Sequence, residues 1–101
     1  MKWRDGLTFT KDPDSNEPRG LDWTRYLEAI AADETIVTST WVVDPTGELT
    51  LNSPSIVTGA KKTQVRYAAG TAGETYVVKN HIVTNSGVID DRSFLVRVRE
   101  R

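Results

Sequence analysis

His81 is the only histidine in the chain, so any acid–base or nucleophilic chemistry would have to gather around it. A hydrolytic site needs a nucleophile and an orienting carboxylate beside the imidazole. His81 instead stands between Asn80 and Ile82 in a strand-like run, with no glycine-framed serine near it in sequence. By parity it lies opposite the side that carries Tyr76, Val78 and Ile82 and shares its face with Lys79, pointing to solvent or to a partner. Asp12-Pro13-Asp14-Ser15-Asn16 opens like a calcium loop. The comparison fails at the sixth position, Glu17 where the turn needs glycine, and at the twelfth, Trp23 where a bidentate glutamate belongs. A polar turn with Asp12 as its local cap is the better reading. Asp90 and Asp91 adjoin Arg92 and, as strand neighbours, point to opposite faces, so they read as a charged hairpin end. Arg97, Arg99 and Arg101 repeat with period two on an outward face, where charge blocks edge-to-edge aggregation. The expectation is no enzyme, no cofactor and no metal.

The whole-chain numbers agree with a binding or structural role. The 101 residues make about one domain, with 38% hydrophobic and 27% charged residues and a formal net charge of −1. Near-neutrality argues against electrostatic capture of nucleic acid or an anionic membrane. It also leaves little self-repulsion to oppose oligomers. Cysteine is absent, which excludes disulfides and thiolate zinc sites. No signal-length or membrane-length apolar run occurs, so a soluble protein made in a cytoplasm is expected.

The elements that would position any functional residue are mostly strands. Residues 1–20 read as an N-terminal arm: Leu7-Thr8-Phe9-Thr10 is β-prone, and Lys11 to Gly20 is a loop rich in turn formers. Leu21 onward begins the folded domain, residues 21–101. Asp22 or Thr24 is placed to cap a short helix with Trp23, Leu27 and Ile30 on one face, an irregular strand ending in a helical turn fits nearly as well, and both readings bury Trp23 and Leu27. From Glu34 the pattern is β. Ile36 and Trp41 differ in parity, which predicts a bulge near Thr38-Ser39. Leu49-Thr50-Leu51 and Ser55 to Thr58 read as two strands, followed by Thr63 to Tyr67, Thr75 to Thr84 and Arg92 to Arg99. About seven strands at this spacing indicate an immunoglobulin-like antiparallel β-sandwich. Tyr76, entering its strand after Gly73, is the candidate for a tyrosine corner, and Val78 stands where antibody domains place a cysteine.

Interaction residues are expected on the arm and on one strand face. Trp3, Leu7, Phe9, Asp12 and Asp14 lie on a stretch that reads as external, where aromatics act as interface anchors. Leu7 and Phe9 fit an edge strand of the domain's own sheet equally well. Lys79 and His81 complete the candidate interface.

The motif order carries a more specific message. Lys11-Asp12-Pro13-Asp14 comes first, then Asp22-Trp23 with Leu27, then Ile36 with Ser39-Thr40-Trp41. Gly70-Thr71-Ala72-Gly73 follows, running into Tyr76 through Thr84, and Asp91-Arg92-Ser93-Phe94 closes the series. This order, over residues 8 to 98, resembles the small tailed-phage virion proteins called phage fibre–tail adaptor proteins. The resemblance implies a multicopy virion component assembled in the host cytoplasm, with other virion proteins and copies of itself as partners. It supplies no catalytic residues. A capsid decoration protein and an immunoglobulin-like carbohydrate- or receptor-binding module, stacking on Trp3, Trp23 or Trp41, are the alternatives.

Overall fold

The computed structural model describes residues 8–100. Seven strands and one helix follow in the order β1 (Thr8–Lys11), β2 (Asn16–Asp22), α1 (Thr24–Ile30), β3 (Ile36–Asp44), β4 (Leu49–Ile56), β5 (Lys62–Ala69), β6 (Thr75–Thr84) and β7 (Ile89–Val98). They form a four-stranded sheet, β1-β7-β6-β3, and a three-stranded sheet, β2-β5-β4. Alternation does the construction. Tyr76, Val78 and Ile82 of β6 and Phe94, Val96 and Val98 of β7 face Leu21, Val65, Tyr67 and Leu49 of the other sheet, all of them buried. Trp23 and Leu27 close one end of this interior.

Two expectations need correction. The fold is all-β, but it is not wholly antiparallel: β1 runs parallel to β7, pairing Thr8 with Leu95 and Lys11 with Val98. After β1 the chain crosses to the opposite sheet instead of folding back on its neighbour, so no hairpin dictates its direction. The segment from Lys11 to Gly20, expected as a loop, holds a turn and then most of β2, which pairs antiparallel with β5 from Asn16↔Ala68 to Asp22↔Lys62. Pro18 is tolerated because β2 is a sheet edge. Gly20 is required there, since a Cβ would sit 2.8 Å from the Thr63 carbonyl oxygen. Residues 8–20 are thus strands of the sandwich, and Trp3 and Leu7 lie outside the described residues.

Smaller differences have local causes. The bulge in β3 falls at the Ile36/Thr38 step, slightly ahead of Thr38-Ser39, and lets Ile36 and Trp41 both face inward. β4 is one strand, broken by a register shift between Asn52 and Ser55 that takes up Ser53 and Pro54. The helix has seven residues, too few to stand alone, and is held by the burial of Trp23 and Leu27; Ile30 stays on the surface. The Asp22 carboxylate accepts from the Thr24 N–H at 2.9 Å. Hydrogen bonds from Thr24 hold its pKa below the ordinary carboxylate value.

Glu34 follows the helix and is buried. It accepts from the Thr84 hydroxyl at 2.5 Å and from the Ser86 hydroxyl, fastening the helix exit to the β6–β7 hairpin. Those bonds, that of Ser86 foremost, lower its pKa below 4.5, outweighing the opposite effect of burial. The unfolded chain therefore takes up this proton first as pH falls. The stabilisation is fully present above the unfolded value and lost as pH drops through the folded one. In urea titrations at descending pH, Glu34→Gln is expected to be less stable than the parent at neutral pH and to close that gap in acid. A constant gap would remove this role.

Candidate protein-docking interface

The register of the four-stranded sheet determines what it shows to the outside. Odd-numbered residues of β6 and β7 and even-numbered residues of β3 from Thr38 on point away from the core, in rows across the strands. These rows are Thr38–Val83–Ile89, Thr40–His81–Asp91, Val42–Lys79–Ser93 and Asp44–Val77–Leu95. β-Branched side chains remain open here: Ile89 is 62% exposed, Val42 53% and Val77 38%. Threonines, Ser93 and Lys79 interleave with them. His81 Nδ1 and Asp91 Oδ1 lie 2.5 Å apart across the β6–β7 ladder, half-exposed at the centre.

The outer face of the three-stranded sheet is different. Its rows are Asn16–Ala68–Thr50, Pro18–Arg66–Asn52 and Gly20–Gln64–Ser55. Arg66 Nε donates to Asn16 Oδ1 at 3.1 Å, and the large apolar residues left exposed are not found on these rows. The outer face of one sheet is polar, and that of the other mixes exposed apolar and hydroxyl side chains.

The expected interface residues are distributed unevenly over this geometry. Lys79 and His81 lie on the apolar-enriched face, with Lys79 exposed. Phe9 faces inward: its ring meets Phe94 edge-on at 5.2 Å, and the Arg19 guanidinium covers it at 4.5 Å. It belongs to the wall of the core, so it is not an exposed anchor. Asp12 Oδ1 accepts from the Asp14 N–H at 2.8 Å, the local cap that the sequence suggests. Neighbouring Lys11 is buried, and its ammonium donates to the carbonyls of Ala69 at 2.6 Å and Asp12 at 2.7 Å. Trp23 is fully buried, and Trp41 packs on Phe94, so neither offers a platform for a sugar.

What keeps this face rigid was not visible as a unit in the sequence. Asn80, on the inward side of β6, is fully buried and uses its whole hydrogen-bonding capacity. Its Oδ1 accepts from the Thr63 hydroxyl at 2.7 Å and from Trp23 Nε1 at 3.1 Å. Its Nδ2 donates to Ser39 Oγ at 2.9 Å and to the Thr40 carbonyl at 3.0 Å. One amide thus joins β6, β3, β5 and the start of α1, bridging both sheets. Arg92 adds to it, stacking 4.4 Å above the Trp23 ring and donating to the Asp22 carbonyl. At the far end Tyr76 makes the corner: its hydroxyl accepts from the Thr71 N–H at 3.0 Å and donates to Glu48. Asp22-Trp23, Ser39-Thr40, Asn80 and Arg92, scattered as motifs, are one interior assembly.

The described residues thus form a two-sheet sandwich with one apolar-enriched face. Among the described residues no group of three or more His, Cys, Asp or Glu is placed to hold a metal ion, and no helix is long and apolar enough to cross a membrane. A family profile described as podophage GP4 fiber-tail adaptor protein gp77 matches residues 11–97, and the chain belongs to that family. It is therefore a bacteriophage structural protein of adaptor type, a component of the virion that binds other virion proteins. No curated protein matches it.

Proposed function

We propose that the protein joins tail to fibre in the phage particle and that it docks through the outer face of the β1-β7-β6-β3 sheet. The observation that carries this is the contrast between the faces: Val42, Val77 and Ile89 are exposed on one sheet, while hydrogen-bonded polar rows cover the other. Lys79 and the His81–Asp91 pair give the face its polar contacts. Family membership supports the adaptor role, and the strand order supports an immunoglobulin-like reading, β2-β5-β4 against β7-β6-β3 matching the B-E-D and G-F-C sheets of that sandwich. Trp3 and Leu7 join the proposed surface on their chemistry. Because β1 and β2 are sheet strands, a deletion that tests them stops at residue 7.

Val77→Lys, which sets a cation and not a second carboxylate opposite Asp44, tests the reading. Val77 is exposed, so the variant should keep the parental melting temperature. A charge buried in an interface centre should weaken capture by isolated tails or fibres at least about tenfold. Unaltered capture by a folded variant would refute docking through this face. Copy number per particle separates tail from capsid placement, decoration of a head requiring far more copies than a tail junction.

A further inference from the structure

The four sheet edges differ in what they permit a neighbouring strand to do. An open edge offers unpaired N–H and C=O groups, and proteins block such edges with proline, bulges, charge or short length. β4 is blocked by Pro54 within its register shift. β2 carries Pro18 and Gly20, flanking the charged Arg19. β1 is four residues long. β3 is nine residues long and, from Ile36 to Val43, contains no proline, glycine or charged residue. Among the described residues no strand is hydrogen-bonded to its outer side, and of its N–H groups that of Ile36 is already taken by the Ala60 carbonyl at 2.8 Å.

A second observation falls on the same edge. Trp41 Nε1 is buried without an acceptor. It borders a cleft of about 280 Å³ between the margins of β3 and β4, lined by Ser39, Thr40, Trp41, Leu51, Pro54 and Val65. A buried indole N–H with no acceptor is uncommon in a finished structure.

We propose that β3 pairs with β3 of a second copy, antiparallel about a two-fold axis through Thr40, fusing two four-stranded sheets into one. The strand suits itself as partner. Thr40 is its middle residue, and the pairing sets Thr40 against Thr40, Thr38 against Val42, and Ser39 against Trp41. These are β-branched and hydroxyl cross-strand pairs, with no charge facing charge. Lys79 is level with Val42 in each copy, so the two lysines are three strand spacings apart across the sheet and four residues apart along it, roughly 19 Å, beyond the ~10 Å screening length. Ser39 Oγ accepts one bond from Asn80 and keeps a second lone pair at the seam. The pairing is independent of whether the protein binds tail or fibre.

Sedimentation equilibrium across a dilution series tests it. The parent is expected to show a monomer–dimer equilibrium. Thr40→Lys and Thr40→Glu each place like charges on the axis and should weaken the dimer at least about tenfold, while an equal mixture of the two should dimerise again. Gln64→Lys, on the outer face of the other sheet, should change nothing. Thr40 is exposed, and circular dichroism verifies that each variant is folded. A parent monomeric at every concentration, a dimer indifferent to both Thr40 charges, or a mixture that stays monomeric would each overturn the proposal.

Discussion

Asn80→Ala is expected to cost about 4 kcal/mol of folding stability, a large part of the ~5–15 kcal/mol available to a domain. The change leaves Trp23 Nε1–H and the Thr63 hydroxyl buried without their acceptor, and Ser39 and the Thr40 carbonyl without a donor. Each orphaned buried group costs about 1–3 kcal/mol, and the side-chain void adds to that. Thr63→Val, which removes a single arm of the network, should cost only about 1 kcal/mol. Urea denaturation reads both, as a lower midpoint with unchanged slope. Equal and small losses in the two variants would mean that the amide is merely tolerated in an apolar interior and does not bind the sheets together.

Gly70→Ala is the second large effect, expected at about 3 kcal/mol. Gly70 sits at φ +95°, and a Cβ there would lie 2.8 Å from Val98 Cγ2 and 3.3 Å from Leu49 Cδ1. Backbone conformation and overpacking act together at the β5–β6 crossover, beside the tyrosine corner. Gly73 has a similar φ of +92° but nothing within 4 Å of its Cβ position. Gly73→Ala should therefore lose only the conformational part, about 1–2 kcal/mol. Thermal melts of the two variants check the difference, and matching losses would assign the whole cost to the backbone.

How far the sequence foretold this molecule varies along the chain, for physical reasons. β6 was legible from end to end because Tyr76, Val78 and Ile82 share one parity, with Asn80 the polar member of the same row. β2 was not. It is a sheet edge with Pro18 and Gly20, and its inward positions include Glu17 and Arg19, so the residue types contradict the burial pattern. Lys11 misled in the same way, as a buried lysine whose ammonium is satisfied by carbonyls brought from β5 and the adjoining turn. Asn80 has the inward parity of its neighbours, and that position for a polar residue in a core strand was the available signal. Its partners, 17 to 57 residues away along the chain, come together only in the folded protein. The outer face of the four-stranded sheet was half legible: Lys79 and His81 follow from parity, whereas Val42, Val77 and Ile89 join them only once the strand register is known.

Hydroxyl-radical footprinting of the protein within assembled tails bears most directly on the docking assignment. Val42, Val77, Lys79 and Ile89 should be strongly protected relative to the free chain, while Pro18, Asn52 and Arg66 on the opposite sheet keep their reactivity. Protection of the Arg66 face with Val77 and Ile89 left reactive would contradict it.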